Sequence, residues 1–214
     1  MIHIISRTIF EIFIRILFKL HVSGRENIPN APYIVVSNHA SLLDPPLVGI
    51  ACKKKNKIVD FIAKEELFEG ALLGCWTRAV NCIFVDRKGM GVGAMKEAVR
   101  RLKAGRVVGI FPEGTRSENG SLQEGKRGVG FLIAKARVPV VPIYIEGSGE
   151  AFPKGKKVKK GSIIDVYIGK AIQPNDFTDA LGSGKQTYEL ITNMVMERIA
   201  QQKEEYIKLK ESGD

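Results

Sequence analysis

The sequence is poor in the residues that build metal centres and disulfide frameworks. Its 214 residues include only three cysteines and three histidines. Cys52, Cys75 and Cys82 match no metal-binding or redox spacing, and their odd number argues against a disulfide framework. Three histidines, the first His3 and the last His39, also disfavour a multi-histidine metal site. We therefore expect no metal ion or redox cofactor, and a reducing, cytoplasmic environment.

The sequence also lacks an uninterrupted apolar run of the roughly 20 residues that span a bilayer. Residues 2–20, IHIISRTIFEIFIRILFKL, come closest, but a polar residue recurs at every fourth position. On a helix this pattern gives a narrow polar stripe opposite a wide face of Ile, Leu and Phe. No small-residue cleavage site follows, which disfavours a signal peptide. We expect an amphipathic helix in a membrane interface, with packing against the domain as the alternative.

Acidic side chains are fewer than basic ones, 23 against 33, which gives a net charge of +10. Such an excess predicts an anionic partner. Nucleic acid is disfavoured because aromatic residues make up only 7% of the chain and no recognised nucleic-acid motif occurs. An anionic membrane surface and an acidic carrier protein remain as partners.

Apolar runs alternate with helical patterns along most of the chain, which is typical of an α/β domain with a mostly parallel sheet and flanking helices. Strands are predicted at 33–36, 58–63, 82–85, 107–111, 139–145 and 162–168. Helices are predicted at 45–52, 65–76, 90–104, 125–137 and 185–210. Since no composition break marks a linker, we divide the chain into an N-terminal membrane-anchoring helix, 1–22, and one domain, 23–214.

His39 follows the apolar run Tyr33–Val36 where a buried strand ends, and Asp44 comes five positions later. Ligands of open α/β sheets bind at such strand ends. Five residues of regular helix would place the two side chains about 140° apart, and Pro45 disfavours helical geometry at Asp44. We therefore expect a bend that folds the carboxylate onto one imidazole nitrogen and leaves the other free to take a proton. The alternative is structural, with Asp44 as a helix N-cap.

The segment Phe111–Ser117 places a glycine and an arginine directly after a predicted strand. Arg116 can hold a phosphate through two parallel hydrogen bonds. Backbone N–H groups around Gly114 could bind the same anion or stabilise an oxyanion. The alternative is a surface ion pair between Glu113 and Arg116 on a tight turn.

Two further glycine-rich segments look like nucleotide-binding motifs but depart from them. Gly89–Ala94 fits G-x-G-x-x-A, yet three polar residues separate it from the preceding strand. Gly120–Arg127 resembles a P-loop but has Arg127 in place of the Ser or Thr that binds the metal. Neither segment predicts a nucleotide site.

Four segments together resemble the motifs of the glycerolipid acyltransferases, the 1-acyl-sn-glycerol-3-phosphate acyltransferase family. In chain order they are Asn38-His39 with Asp44, Phe84–Arg87, Phe111–Arg116 and Val138–Pro142. They follow the family order and cover roughly residues 33–145, and Ala63–Phe68 resembles a further family segment. One departure is Asp86, which would partly neutralise Arg87.

The resemblance implies transfer of a fatty acyl group from a thioester to the free sn-2 hydroxyl of 1-acylglycerol 3-phosphate. His39 would be the general base and Asp44 its orienting carboxylate. Arg87 and Arg116 would hold the acceptor phosphate, and Glu113 would orient an arginine. The further substrate-binding residues implied are Asn38, Lys64, Gly114 and Thr115. The acyl donor would be acyl-carrier protein or acyl-CoA, and no cofactor is needed because a thioester is already activated.

Direct attack by the acceptor hydroxyl is favoured because the sequence has no G-x-S-x-G elbow to supply a covalent serine. Glycerol 3-phosphate or another lysolipid remains an alternative acceptor. A lipid or thioester hydrolase using the same histidine, and a non-catalytic basic membrane-binding module, are alternatives from other classes. For the transferase we expect a peripheral, monotopic location at the cytoplasmic face of the cell membrane.

Overall fold

One seven-stranded sheet forms the centre of the computed structural model, which describes residues 2–30, 32–53, 58–64, 82–85, 91–180 and 184–212. The strands are β1 Lys19–Ser23, β2 Ile34–Ser37, β3 Val59–Lys64, β4 Ile83–Val85, β5 Val107–Ile110, β6 Val140–Glu146 and β7 Ile163–Ile168. The helices within these ranges are α1 Ile2–Leu17, α2 Asp44–Ala51, α3 Val92–Lys103, α4 Gly128–Ala136, α5 Ser148–Ala151 and α6 Lys185–Glu211. Two 3₁₀ segments cover Arg25–Asn27 and Pro174–Ala180.

Strand β2 lies in the middle of the sheet, whose order is β1-β7-β6-β2-β5-β3-β4. Every described pairing is parallel except that of β6 with β7. All four residues of β2 are buried, as expected for a parallel strand covered on both faces. The carboxyl ends of β6, β2, β5, β3 and β4 therefore share one edge, and the end of β2 is near its centre.

Apolar cores cover both faces of the sheet, and alternate residues of β2 divide between them. Val35 points into a core built with α1 and α2. Ile34 and Val36 point into a second core built with α3, α4 and α6. This double covering confirms the predicted α/β architecture with flanking helices.

Most predicted elements are confirmed to within three residues at each end. The exceptions are the helix predicted at 65–76, which lies outside the described residues, and the N-terminal segment. There the predicted helix 2–20 ends at Leu17, and the predicted loop from His21 begins with strand β1 instead. Strand β1 pairs in parallel with β7, although the two strands lie far apart in the sequence. The division at residue 22 consequently falls inside a strand of the sheet.

Helix α1 packs one side against the domain and exposes another. Ile14 is fully buried in the first core, and Lys53 at the end of α2 forms an ion pair with Glu11 of α1. The side chains exposed on α1 are strongly apolar: Ile5, Ile9, Ile12, Phe13 and Ile16 are each at least half exposed. No helix among the described residues is both long enough and apolar enough to cross a membrane.

Candidate active site

The predicted bend between His39 and Asp44 is present. Nδ1 of His39 lies 2.8 Å from Oδ2 of Asp44. An ionised carboxylate accepts a hydrogen bond, so this contact places the imidazole proton on Nδ1 and leaves the lone pair of Nε2 free. The His39 side chain is 16% exposed, which keeps this second nitrogen within reach of a ligand.

Asp44 is held from several directions. Its Oδ2 also accepts hydrogen bonds from the backbone N–H groups of Ala40 and Ser41, each at 2.7 Å. The residue is fully buried, and Oδ1 has no hydrogen-bond partner among the described residues. Asp44 is the first residue of α2, so the helix dipole also favours its negative charge. The carboxylate turns back onto the His39 loop, which excludes the purely structural N-cap reading.

The His39 ring and backbone are fixed by the segment that follows β5. Phe111 stacks on the imidazole with ring centroids 4.1 Å apart and planes inclined by 17°. Phe61 stacks on Phe111 in turn, at 5.9 Å. The backbone carbonyl of His39 accepts a hydrogen bond from the N–H of Ser117 at 2.7 Å. The first and third sequence motifs thus form one rigid unit.

Glu113 binds the loop that carries His39. Its Oε1 accepts the backbone N–H of His39 at 3.1 Å, and its Oε2 accepts the side-chain amide of Gln123 at 3.0 Å. Burial raises the pKa of Glu113, and the hydrogen bonds from His39 and Gln123 partly offset that effect. Among the described residues Glu113 therefore positions the His39 loop, and its predicted contact with an arginine stays a prediction.

The turn that carries Gly114 brings in a residue that sequence reasoning did not select. Gly114 has φ of +65°, and a Cβ built on it would lie 2.9 Å from Nζ of Lys126. The lysine side chain therefore lies across the open face of the glycine, and the positive φ of Gly114 favours glycine at this position. The backbone N–H of Lys126 donates to the carbonyl of Pro112 at 2.9 Å, which fixes its position.

Arg116 is partly exposed and forms no ion pair among the described residues, so the surface pair with Glu113 is excluded. Lys126 likewise has no described carboxylate partner. Thr115 is exposed on the same turn. The N–H of Gly114 is not available for an anion, because it donates to the carbonyl of Phe111 at 3.0 Å. The turn thus presents the side chains of Arg116 and Lys126, and of the backbone N–H groups predicted around Gly114 that of Gly114 itself is already used.

Two predicted substrate-binding side chains, those of Lys64 and Arg87, lie outside the part of the chain that the structure describes. Lys64 is the last residue of β3 and pairs with Val85, which puts its backbone at the same edge of the sheet. Its side chain and the whole of Arg87 lie outside the described residues.

Asn38, which the family resemblance assigns to substrate binding, uses its side chain to join two strands. Its Nδ2 donates to the carbonyl of Ile145, and its Oδ1 accepts the N–H of the same residue, both at 2.8 Å. The side chain is 4% exposed. Asn38 therefore joins the end of β2 to the end of β6 and sets the direction in which the chain leaves the sheet towards His39.

The fold and site together define an α/β protein with a histidine–carboxylate pair at the carboxyl edge of its sheet. The profile of the family described as Acyltransferase matches residues 19–146, more than half of the chain. The chain therefore belongs to the acyltransferase family, and the resemblance inferred from the four motifs is confirmed.

Several similar proteins are named as 1-acyl-sn-glycerol-3-phosphate acyltransferases. The human 1-acyl-sn-glycerol-3-phosphate acyltransferase alpha is 38% identical over 144 residues, covering 65% of this chain and 50% of that protein. The 1-acyl-sn-glycerol-3-phosphate acyltransferase of Bacillus subtilis is 28% identical over 180 residues, 83% of this chain and 85% of that protein. The chain spans about half the length of the mammalian relatives it matches.

A solved structure supports the same assignment. The 1-acyl-sn-glycerophosphate (LPA) acyltransferase of Thermotoga maritima superposes with a TM-score of 0.71 at 29% identity. The match covers 92% of this chain and 79% of that one. It supports the arrangement of the sheet with its flanking helices.

Proposed function

We propose that this chain transfers a fatty acyl group from an acyl thioester to the free sn-2 hydroxyl of 1-acylglycerol 3-phosphate, giving phosphatidate. The observation that carries the proposal is the His39 Nδ1 to Asp44 Oδ2 contact of 2.8 Å, which leaves Nε2 free to take a proton. Matching relatives are named for this reaction. The donor is an acyl thioester of coenzyme A or of acyl-carrier protein.

His39 acts as the general base in this scheme. Nε2 takes the proton of the acceptor hydroxyl while the hydroxyl oxygen attacks the thioester carbonyl carbon. The tetrahedral intermediate then collapses, the carbon–sulfur bond breaks, and the leaving thiolate takes the proton back from the imidazolium. Asp44 stabilises that imidazolium and holds its orientation. General-base catalysis of this kind contributes about 10²–10⁴-fold.

The cationic turn after β5 positions the acceptor. Arg116 supplies a planar fork that matches a phosphate, and Lys126 adds a second positive charge over Gly114. Neither charge is neutralised by a described carboxylate, so both remain available for an anion. Arg87 is proposed to complete this phosphate site, as the second family motif implies, and Lys64 is proposed as a further substrate-binding residue.

The test is a product analysis with purified protein and a labelled acyl thioester. Lysophosphatidate, glycerol 3-phosphate, a neutral monoacylglycerol and buffer alone are offered in turn, and the lipids are resolved. The proposal expects label in phosphatidate and little transfer to monoacylglycerol, which lacks the phosphate. Equal thioester loss in buffer alone would identify a hydrolase instead, and preferred transfer to glycerol 3-phosphate would reassign the acceptor.

We also propose that the protein works as a peripheral, monotopic protein on the cytoplasmic face of the cell membrane, where its acceptor is dissolved. The apolar face of α1, Ile5 to Ile16, is suited to insertion in the membrane interface. A basic segment borders it: Lys156, Lys157, Lys159 and Lys160 are exposed, and Gly161 donates its N–H to the carbonyl of Leu17 at the end of α1. Each such lysine near an anionic surface contributes about 1 kcal/mol.

The membrane proposal is tested by substitution, since deleting α1 would also remove Ile14 from the core. Ile9→Glu with Ile16→Glu should release the protein from anionic vesicles and spare activity on acceptor dispersed as monomers. The matched control is Ile207→Glu with Leu209→Glu, which changes exposed apolar residues on α6. Unchanged co-sedimentation of the α1 variant would place the membrane contact elsewhere.

A further inference from the structure

Helix α6 packs closely against the glycine-rich segment of residues 125–130, which leads into α4. Two glycines of this segment touch α6 directly. A Cβ built on Gly125 would lie 2.5 Å from Cγ2 of Thr192. A Cβ built on Gly130 would lie 1.9 Å from the carbonyl oxygen of Tyr188. Glycine at both positions therefore allows the backbone of the segment to approach α6.

Thr192 makes two contacts with this segment, each through a different atom. Its methyl carbon Cγ2 faces Gly125, and its hydroxyl oxygen accepts the N–H of Gly130 at 3.1 Å. The hydroxyl donates in turn to the carbonyl of Tyr188, one turn earlier in α6, at 2.7 Å. Since the Thr192 side chain is 1% exposed, water does not compete for these contacts. One side chain of α6 thus holds the segment at two points.

The hydrogen bond from Gly130 does the work of a helix cap. Gly130 is the third residue of α4, and the N–H groups in the first turn of a helix have no partner within that helix. Arg127, which precedes α4, makes no side-chain hydrogen bond to this turn. Thr192 therefore supplies from a neighbouring helix the oxygen that an N-cap residue usually supplies.

Lys126 lies between the two glycines that Thr192 contacts. Its carbonyl accepts the N–H of Val129 at 3.1 Å, and its own N–H donates to the carbonyl of Pro112 at 2.9 Å. The backbone of the lysine is consequently fixed by α6 on one side and by the turn that follows β5 on the other. Because a lysine stem is flexible, the position of its charge depends on where its backbone is held.

We propose that Thr192 is a positioning residue for the acceptor phosphate, because it holds both sides of Lys126 and so keeps the ammonium group over Gly114. The inference rests on the proposed function, in which Lys126 adds a positive charge to the phosphate site. Helix α6 lies beyond residues 19–146, the part of the chain that matches the family profile. The proposal therefore gives the C-terminal helix a part in substrate recognition.

The first test removes the hydroxyl alone. Thr192→Val keeps the shape of the side chain but removes the acceptor for the Gly130 N–H, whereas Thr192→Ser keeps that acceptor. We expect Thr192→Val to raise the KM for lysophosphatidate about two- to tenfold, as expected for loss of one neutral hydrogen bond, with the KM for the acyl thioester unchanged. Thr192→Ser should recover most of the wild-type value. Thr187→Val, the same change at another buried threonine of α6, is the matched control.

A general structural role would give a different result in this test. Equal rises in the KM values of both substrates, or a fall in kcat alone, would overturn the assignment to the acceptor phosphate. The same effect in Thr187→Val would overturn it as well, because that residue is not one of the contacts to Gly125 and Gly130.

A double-mutant cycle shows whether Thr192 acts through Lys126. If it does, Thr192→Val should change the acceptor KM only while the lysine is present, so the double variant should match Lys126→Ala. A further two- to tenfold rise in the double variant would mean that Thr192 acts on the site independently of the lysine, and the proposal would be wrong.

Amide hydrogen exchange separates this inference from the proposed function, because it needs no substrate. Relative to Thr187→Val, Thr192→Val should exchange the N–H groups of Gly130 and Lys126 about two- to tenfold faster. Unchanged exchange at Lys126 would overturn the inference whatever the activity, and so would faster exchange with an unchanged acceptor KM. If exchange is faster but the wild-type chain transfers no acyl group to lysophosphatidate, the proposed function fails and the positioning of Lys126 by Thr192 remains.

Discussion

Asp44 and Asp60 are both fully buried aspartates, yet their surroundings differ in kind. Asp60, near the start of β3, receives both arms of the Arg106 guanidinium on its two oxygens, and Arg101 lies 3.1 Å away. Asp44, at the opposite edge of the sheet, receives one imidazole and two backbone N–H groups on a single oxygen.

The difference lies in what each carboxylate is paired with. A guanidinium stays charged at any ordinary pH, so Asp60 with Arg101 and Arg106 forms an ion-pair cluster that joins β3 to α3 and to the start of β5. An imidazole gains and loses a proton near neutrality, so the Asp44 pair can take part in proton transfer. Asp44 also has one oxygen, Oδ1, without a hydrogen-bond partner among the described residues, whereas both oxygens of Asp60 have partners. Burial of a charge alone therefore does not identify a catalytic residue.

The largest effect expected is that of removing the proton acceptor from the Asp44 pair. His39→Ala should lower the rate of acyl transfer by about 10²–10⁴-fold, the contribution of a positioned general base. The free energy of unfolding should fall only modestly, because Asp44 keeps the hydrogen bonds from the backbone N–H groups of Ala40 and Ser41 when the imidazole is removed. Steady-state transfer assays and urea denaturation measure the two quantities. Wild-type turnover in the folded variant would exclude the general-base role.

Asparagine at each aspartate separates the two roles. Asp60→Asn leaves Arg106 without its counter-charge, while Arg101 keeps Glu97 as a partner. The variant should lower the free energy of unfolding by about 3 kcal/mol, the lower end for a broken buried pair, since Arg106 is 40% exposed. Asp44→Asn should instead lower the transfer rate, by less than His39→Ala because it acts through that residue. Both quantities are measured for both variants. If the folded Asp60→Asn protein lost transfer as Asp44→Asn does, the distinction would be wrong.

Arg106 binds Asp60, whereas Arg116 has no ion-pair partner within the described residues. This contrast predicts an effect of Arg116 on substrate use that is smaller than the effect of His39 on the transfer rate. Arg116→Ala should lower kcat/KM for lysophosphatidate about 10- to 150-fold, the worth of one charged hydrogen bond. Arg116→Lys should recover only part, because a fork becomes a point charge. Lys126→Ala should have a smaller effect of the same kind, and Lys135→Ala on α4 is its matched control. A change confined to the donor KM would contradict the assignment of these cations to the acceptor.

The smallest expected effect is on stability at low pH and concerns Glu97, which binds Arg101 of the Asp60 cluster. Hydrogen bonds from Arg100 and then Arg101 hold the pKa of Glu97 at about 2, below its ordinary value of 4.5. The stabilisation is therefore present above the ordinary value and is lost as the pH falls from 4.5 towards 2. Since the side chain is partly exposed, we expect less than about 1 kcal/mol. Denaturation midpoints of wild type and Glu97→Gln should converge over this range, and parallel curves would contradict the expectation.

The sequence predicts a strand well where its residues are apolar. It predicts a strand poorly where only pairing with a distant strand makes the segment extended. Strand β2, with its buried Ile and Val residues, was predicted to within one residue. Strand β1, Lys19-Leu20-His21-Val22-Ser23, is short and mixed in polarity, and its partner β7 is more than 140 residues away. Only that pairing makes it a strand, so local patterns extended the preceding helix into it. Hydrophobic periodicity cannot supply such long-range information.

The contacts of the candidate site also fall into those that local sequence predicts and those that only the tertiary structure brings about. The His39–Asp44 contact follows from a spacing of five residues and a proline, so it could be predicted locally. The role of Glu113 depends on a hydrogen bond to a backbone 74 positions away in sequence. Asn38 likewise depends on Ile145. Lys126 had a weak signal, a lysine after Gly125 in a segment read only as an imperfect P-loop, and its approach to Gly114 is purely tertiary.

The central claim is that His39 and Asp44 act as one unit in proton transfer, and a double-mutant cycle tests it most directly. The transfer rate is measured for wild type, His39→Ala, Asp44→Asn and the double variant under one set of conditions. If Asp44 acts only through His39, the double variant should be no slower than His39→Ala alone. If the two losses multiply instead, Asp44 would contribute independently of the imidazole, and the proposed general-base pair would be contradicted.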